Sequence, residues 1–149
     1  MADKVLVTGA NGKTGRAVVA AIAKKGAAVR AFIRKAEQAE ALKTIGAAEI
    51  AIGDMASPDT IAPAVKGCSA IVHIGPPMHP DEKAMTANFV RAAEANNIDR
   101  FVYYSVMQTM RREVPHHARK LEAEEMIVET GQPYTIIQPT RYMQHLEPI

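Results

Sequence analysis

Three glycines, Gly9, Gly12 and Gly15, punctuate the stretch VLVTGANGKTG near the start of the chain. Glycine lets a backbone turn where other residues clash, and lets a phosphate approach the main chain. The three fall between a short apolar run, Lys4 to Thr8, and a helical pattern that begins at about Lys13. A helix N-terminus offers free N–H groups and a partial positive charge to an anion. Strand, glycine turn and helix in this order form the setting of a dinucleotide site, although G-x-x-G-x-x-G is one residue longer in its first half than G-x-G-x-x-G. Asn11, Lys13 and Thr14 belong to the same turn and join the glycines as candidate cofactor contacts. The competing reading is a glycine-rich turn that binds nothing.

The end of the second strand discriminates between dinucleotides. A carboxylate there holds the ribose 2′-hydroxyl of NAD, whereas an arginine accommodates the 2′-phosphate of NADP. Here that end reads Phe32-Ile33-Arg34-Lys35, without an acid. Arg34 can grip a phosphate in a bidentate fork, and Lys13 adds a second charge, so the expected cofactor is NADP(H). Alternatively, Arg34 and Lys35 only solvate a strand end. Asp54 follows the third strand, beside Met55, where its carboxylate either accepts from an adenine amino group or shapes a turn. Gly75-Pro76-Pro77 ends the fourth strand, and its backbone is placed to line a cofactor.

A second constellation lies later in the chain. His116, Lys120, Ala123 and Ile127 are spaced i, i+4, i+7 and i+11, so they share one helix face. That helix starts after the fifth strand, which points His116 and Lys120 at the cofactor side of a sheet. His116 is a candidate proton donor, since an unperturbed imidazole titrates near pH ~6.5. The plain alternatives are a solvated His116-His117 pair and a Lys120–Glu124 ion pair at i+4. Strand alternation sets Tyr104 opposite to Ser105, which makes Tyr103 the better substitute phenol.

These residues need a scaffold, and the patterning supplies one. Strands are expected at Lys4–Thr8, Ala28–Ile33, Glu49–Ile52, Ser69–Ile74, Arg100–Ser105 and Tyr134–Gln138. Helices are expected at Lys13–Lys25, Ala36–Ile45, Ser57–Val65, Asp81–Asn96 and Pro115–Thr130, with proline and acidic start signals and glycine stops. Six alternations of strand and helix with short connections predict an α/β fold: a doubly wound parallel sheet of order 3-2-1-4-5-6 with helices on both faces. His73 lies mid-strand and reads as a satisfied core residue. Met107, Met110, Met126 and Met143 read as core or pocket wall, with Tyr142 and Met143 able to face substrate.

Composition agrees with one domain over residues 1–149, 48% apolar and 23% charged. A net charge of +2 argues neither for nucleic acid nor for an anionic membrane. A single cysteine, Cys68, rules out an internal disulfide framework, and the scattered histidines have no zinc spacing. Met1 to Lys4 runs straight into the first strand with no signal-peptide pattern, and no apolar run reaches membrane-spanning length. The expected location is cytoplasmic and the expected partner a small molecule, with an unpaired sheet edge leaving homo-oligomerisation open.

Taken in order, TGANGKTG, the arginine of VRAFIRK, IGDM, AIVHIGPP, RFVYYSV, the His116–Lys120 segment and YTIIQPTRYMQH resemble the NmrA-like group of atypical short-chain dehydrogenases/reductases. The match runs from about Val5 to His145. The resemblance implies a Rossmann domain that binds NADP(H), either in a reductase of small carbonyl, quinone or aromatic compounds or in a redox-sensing regulator without turnover. It assigns Lys120 to the nicotinamide ribose and sets Ser105 at the active-site serine, able to hydrogen-bond a carbonyl. Two departures stand out. The Tyr-x-x-x-Lys of the wider superfamily is broken, with His116 at the tyrosine position, and relatives usually continue into a substrate-covering region that is absent here, which also raises an inactive fragment of a longer reductase as a reading.

Overall fold

The computed structural model describes residues 3–76, 78–140 and 142, so the expectations for Pro77, Met143 and the closing residues lie outside it. Six strands, β1 (Lys4–Val7), β2 (Ala28–Ile33), β3 (Ala47–Ile52), β4 (Ala70–His73), β5 (Arg100–Tyr104) and β6 (Tyr134–Ile137), alternate with helices. The helices are α1 (Lys13–Lys24), α2 (Ala39–Thr44), α3 (Pro58–Val65), α4 (Glu82–Ala95) and α5 (Pro115–Glu129). All strand pairs are parallel, in the order β3-β2-β1-β4-β5-β6. The expected topology therefore holds.

Period-two alternation divides the strands between two cores. Leu6, Phe32, Ile71, Phe101 and Tyr103 point to the face covered by α3, α4 and α5, where Phe89, Ala123 and Ile127 meet them. Val7, Ala31 and Ile33 point the other way, onto Val19 of α1 and Leu42 of α2. Phe32 and Phe89 meet edge to face with centroids 5.3 Å apart. Each fully buried side chain of this size stabilises the fold by about 2 kcal/mol. Cys68 sits in the first core as a small apolar residue, and burial pushes its thiol pKa up.

Local details depart from expectation where tertiary pairing overrides local preference. Residues 36–38 form a 3-10 turn ahead of a shorter α2. β3 starts earlier than expected because Ala47 pairs with Val29 across an irregularity in register. Ser57 occupies the N-cap of α3 but makes no side-chain cap bond; instead its carbonyl accepts from Thr60 Oγ1 at 2.9 Å. Met107 and Met110 are corrections: both are exposed, in the connection between β5 and α5, whereas Met126 packs on the core. Among the described residues no helix is long and apolar enough to cross a membrane.

Candidate functional site

A cleft of about 740 Å³ opens at the carboxyl ends of the strands. The glycine turn with Asn11, Lys13 and Thr14, Arg34, Asp54, Met55, Gly75, Pro76, Ser105, His116 and Lys120 all line it, as do Tyr104, Tyr142, His79 and Met85, among others; Tyr103 does not.

The glycine turn divides its labour. Gly9 has φ +59, and a Cβ there would stand 2.6 Å from the Ile74 carbonyl oxygen. Gly15 is buried under the turn, where a Cβ would stand 2.1 Å from the Gly9 oxygen. The outer glycines thus let the turn press against β4 and α1 press against the turn. At Gly12 a Cβ would meet only the Gly9 oxygen, at 3.4 Å, so this position is open toward the cleft. No side chain caps the α1 N-terminus, which leaves first-turn N–H groups at Lys13 and Thr14 for an anion. Asn11 shapes the turn: Arg16 donates to its Oδ1 at 2.6 Å and to its carbonyl at 3.1 Å.

Arg34 is exposed at the end of β2, on the cleft wall. Asp54 lines the cleft and also shapes a turn, its Oδ1 accepting from the Ala56 N–H at 2.8 Å. Met55 lies beside it, its carbonyl held by Asn88 Nδ2 at 2.9 Å. Gly75 and Pro76 form the opposite wall.

At the other end of the cleft the chemistry differs from expectation in three places. First, Lys120 is buried and does not pair with Glu124. Its Nζ donates to Glu82 Oε1 and, at 2.8 Å, to the Tyr104 carbonyl, and it lies 4.8 Å from the Tyr103 ring centroid. Glu124 is occupied elsewhere: it accepts from Ser105 Oγ, from Thr109 Oγ1 at 3.2 Å and from Gln138 Nε2 at 3.0 Å. Second, Ser105 reaches the cleft with its one O–H committed to that carboxylate. A hydroxyl has a single donor, so Ser105 offers lone pairs to a ligand unless it turns away from Glu124.

Third, the tyrosines exchange places. Tyr103 is fully buried, its hydroxyl donating to Glu82 Oε1 at 3.2 Å, and burial together with the Glu82 charge lifts its pKa far above the ordinary phenol range. Tyr104 faces the cleft; its pKa is pushed up to about 12, by burial first and then by its hydrogen bond with Tyr142. Alternation itself holds, since Tyr103 and Ser105 are both buried and bond to α4 and α5; what fails is the step from sharing a side with Ser105 to reaching the cleft.

His116 shares the Lys120 face of α5 and lines the cleft, half-buried, with Nδ1 lacking a hydrogen-bond partner among the described residues. Burial lowers its pKa, the nearby Glu82 charge opposes, and the Lys120 charge lowers it further. The neutral imidazole is therefore the form present at neutral pH. His73, as expected, is a satisfied core residue. Thr86 Oγ1 donates to the Glu82 carbonyl at 2.8 Å and so accepts from His73 Nε2 at 3.2 Å, which leaves Nδ1 to accept from Thr8 Oγ1 at 3.0 Å. Burial, then the Lys120 charge, takes the His73 pKa down to about 3.

Glu82, the buried partner of Lys120, is the contact that sequence reasoning missed. An acid in the first turn of a helix reads as a solvated partner of the helix dipole. The available signal was indirect: a lysine on an otherwise apolar face needs a counter-ion when buried. Among the described residues no cluster of acids, histidines or cysteines could hold a metal.

Comparison with known proteins places this geometry in a family. Residues 9–147 match the NAD(P)H-binding family model. The photosystem II assembly factor Ycf39 of Cyanophora paradoxa is 31% identical over 95% of this chain and 46% of its own length. The uncharacterized sugar epimerase YhfK of Bacillus subtilis (strain 168) is 32% identical over 91% of this chain and 71% of its own. Citrobacter sp. triphenylmethane reductase, crystallised with NADP(H), superposes with a TM-score of 0.82 at 26% identity, covering 95% of this chain and 51% of that one. The chain thus spans about half the length of the first relative and of the reductase. With its sheet order, glycine turn and cleft, this chain belongs to the NAD(P)H-binding family, and its structural neighbours lie in the NmrA-like class of atypical short-chain dehydrogenases/reductases.

Proposed function

We propose that the chain binds NADPH along the cleft and reduces a small carbonyl, quinone or aromatic compound. One observation carries the reading: the glycine turn, Arg34 and Lys120, far apart in sequence, line a single continuous cleft. Gly12 and the uncapped α1 N-terminus suit a pyrophosphate. Arg34, at a strand end without an acid, and Lys13, at the start of α1, suit a 2′-phosphate. Asp54 keeps an oxygen for an adenine amino group, and Lys120 keeps a donor for the nicotinamide ribose. Bound NADPH supplies a hydride. A carbonyl acceptor also needs a proton, for which the cleft offers the Tyr104 phenol, while the neutral His116 imidazole can hydrogen-bond the substrate. A cytoplasmic location goes with this reading.

The commitment of the Ser105 O–H to Glu124, together with the broken Tyr-x-x-x-Lys, favours a second reading, an NADP(H) sensor without turnover. Fluorescence titration with NADPH and NADH, followed by NADPH consumption with a panel of quinones, separates the two. Turnover supports the reductase, and binding without turnover the sensor. No NADPH binding refutes both.

A further inference from the structure

Acids in the first turn of a helix ordinarily stay in water. Glu82 opens α4 and is fully buried. Its Oε1 accepts from Lys120 Nζ and from the Tyr103 hydroxyl, while Oε2 has no hydrogen-bond partner among the described residues. Space for the carboxylate exists because residue 75 is glycine, where a Cβ would stand 2.9 Å from Glu82 Oε1. Its main chain is pinned as well, through the Thr86 hydroxyl that donates to the Glu82 carbonyl and connects to His73 and Thr8 beneath the glycine turn.

Stability alone does not account for this arrangement. A buried ion pair commonly contributes no more than apolar residues of equal volume, and an orphan carboxylate oxygen is a further penalty. The Tyr103 whose hydroxyl meets Glu82 belongs to the same buried apolar cluster as Phe89 and Phe101. The consequence of the carboxylate is felt at Lys120. An ammonium has three N–H donors. One goes to Glu82 and one to the Tyr104 carbonyl, and these two fixed directions determine the third. Lys120 is also part of the cleft wall.

We infer that Glu82 is the positioning residue of the cofactor site: it holds the Lys120 ammonium in one orientation, so that its remaining donor serves a ligand in the cleft. The inference rests on the proposed cofactor role of Lys120. Without Glu82, the ammonium is a buried charge lacking its counter-ion and is free to swing away.

A double-mutant cycle tests it. NADPH dissociation constants are measured by fluorescence for the wild type, Glu82→Gln, Lys120→Met and the double variant, with thermal melting of each. Each single change should weaken NADPH on the order of tenfold, the factor carried by one charge-assisted hydrogen bond. The double variant should bind no more weakly than Lys120→Met alone, because without the ammonium the carboxylate has nothing to position. Losses that multiply, or a Glu82→Gln variant with wild-type affinity beside a weakened Lys120→Met, overturn the inference and leave the cofactor role of Lys120 standing. Wild-type affinity in Lys120→Met overturns that role, and the inference with it. Should Glu82→Gln not fold, Glu82→Asp, which keeps the charge and shortens the reach, takes its place in the cycle: weakened NADPH binding that vanishes in the Lys120→Met background supports the inference, and losses that multiply overturn it.

Discussion

The division of labour in the glycine turn predicts that two chemically identical substitutions fail in opposite ways. In Gly15→Ala the added methyl would stand 2.1 Å from the Gly9 oxygen, 2.7 Å from Ala10 Cα and 2.8 Å from the Ala10 carbonyl carbon. All three are backbone atoms, which have no rotamer to escape into. Reaching the 3.4 Å that a Gly12 Cβ would keep from the same oxygen requires a shift of about 1.3 Å between α1 and the turn. Overpacking of this kind destabilises by about 2 kcal/mol. For a domain of this size that lowers the melting temperature by roughly 6 °C. The displaced N–H groups no longer converge on one anion, and a misplacement near 1 Å weakens such a site by about a hundredfold. Gly12→Ala adds its methyl in ordinary contact and on the cleft side, so its melting temperature should stay within about 1 °C of wild type. Its NADPH affinity should nonetheless fall about tenfold or more, because a methyl occupies the phosphate's approach. Thermal melting and fluorescence titration of both variants read this out. A Gly15→Ala protein with wild-type melting would refute the close approach of helix and turn. A Gly12→Ala protein with wild-type affinity would refute the placement of the phosphate.

Three further outcomes follow from the site. Arg34→Asp replaces the phosphate fork with a carboxylate, and should weaken NADPH by about tenfold or more while sparing or improving NADH; an unchanged preference removes Arg34 from the site. Tyr104→Phe should lower turnover without loss of melting temperature, whereas Tyr103→Phe, which takes a donor from buried Glu82, should destabilise by about 1 kcal/mol; the reverse pattern would restore Tyr103 as the substitute phenol. His73 binds a proton in the unfolded chain below its ordinary value of 6.5, but in the fold only below about 3. Its contribution is complete above pH 6.5 and is lost as pH falls toward 3, reaching about 2 kcal/mol by pH ~5. Melting curves against pH should show that slope, and His73→Leu should flatten it.

Much of the scaffold is legible without coordinates. The bounds of β2 follow at both ends because AVRAFI is a short apolar run between breakers, and the ends of α1 and α3 follow from Gly26 and Pro58. These are local signals, carried by a few neighbouring side chains and the backbone angles that they allow. Short connections and right-handed crossovers then leave little freedom in strand order. That order brings Gly12, Arg34, Asp54, Gly75 and Lys120 to one sheet edge, which explains why they line the same cleft.

The wiring inside the cleft was decided only by tertiary structure. Along α5, Glu124 is as near to Lys120 as helix geometry permits, yet the lysine turns to Glu82 of the neighbouring helix and Glu124 takes the hydroxyls of Ser105 and Thr109. Between Tyr103 and Tyr104, the choice depended on what lies opposite each: Tyr103 meets Glu82 of α4 in the core, whereas Tyr104 lines the cleft. Periodicity tells which face of an element is buried, but not which polar atom of another element lies opposite it. Once water is excluded, each buried charge and hydroxyl must find a partner in three dimensions, and the partner it finds determines the donor left for chemistry.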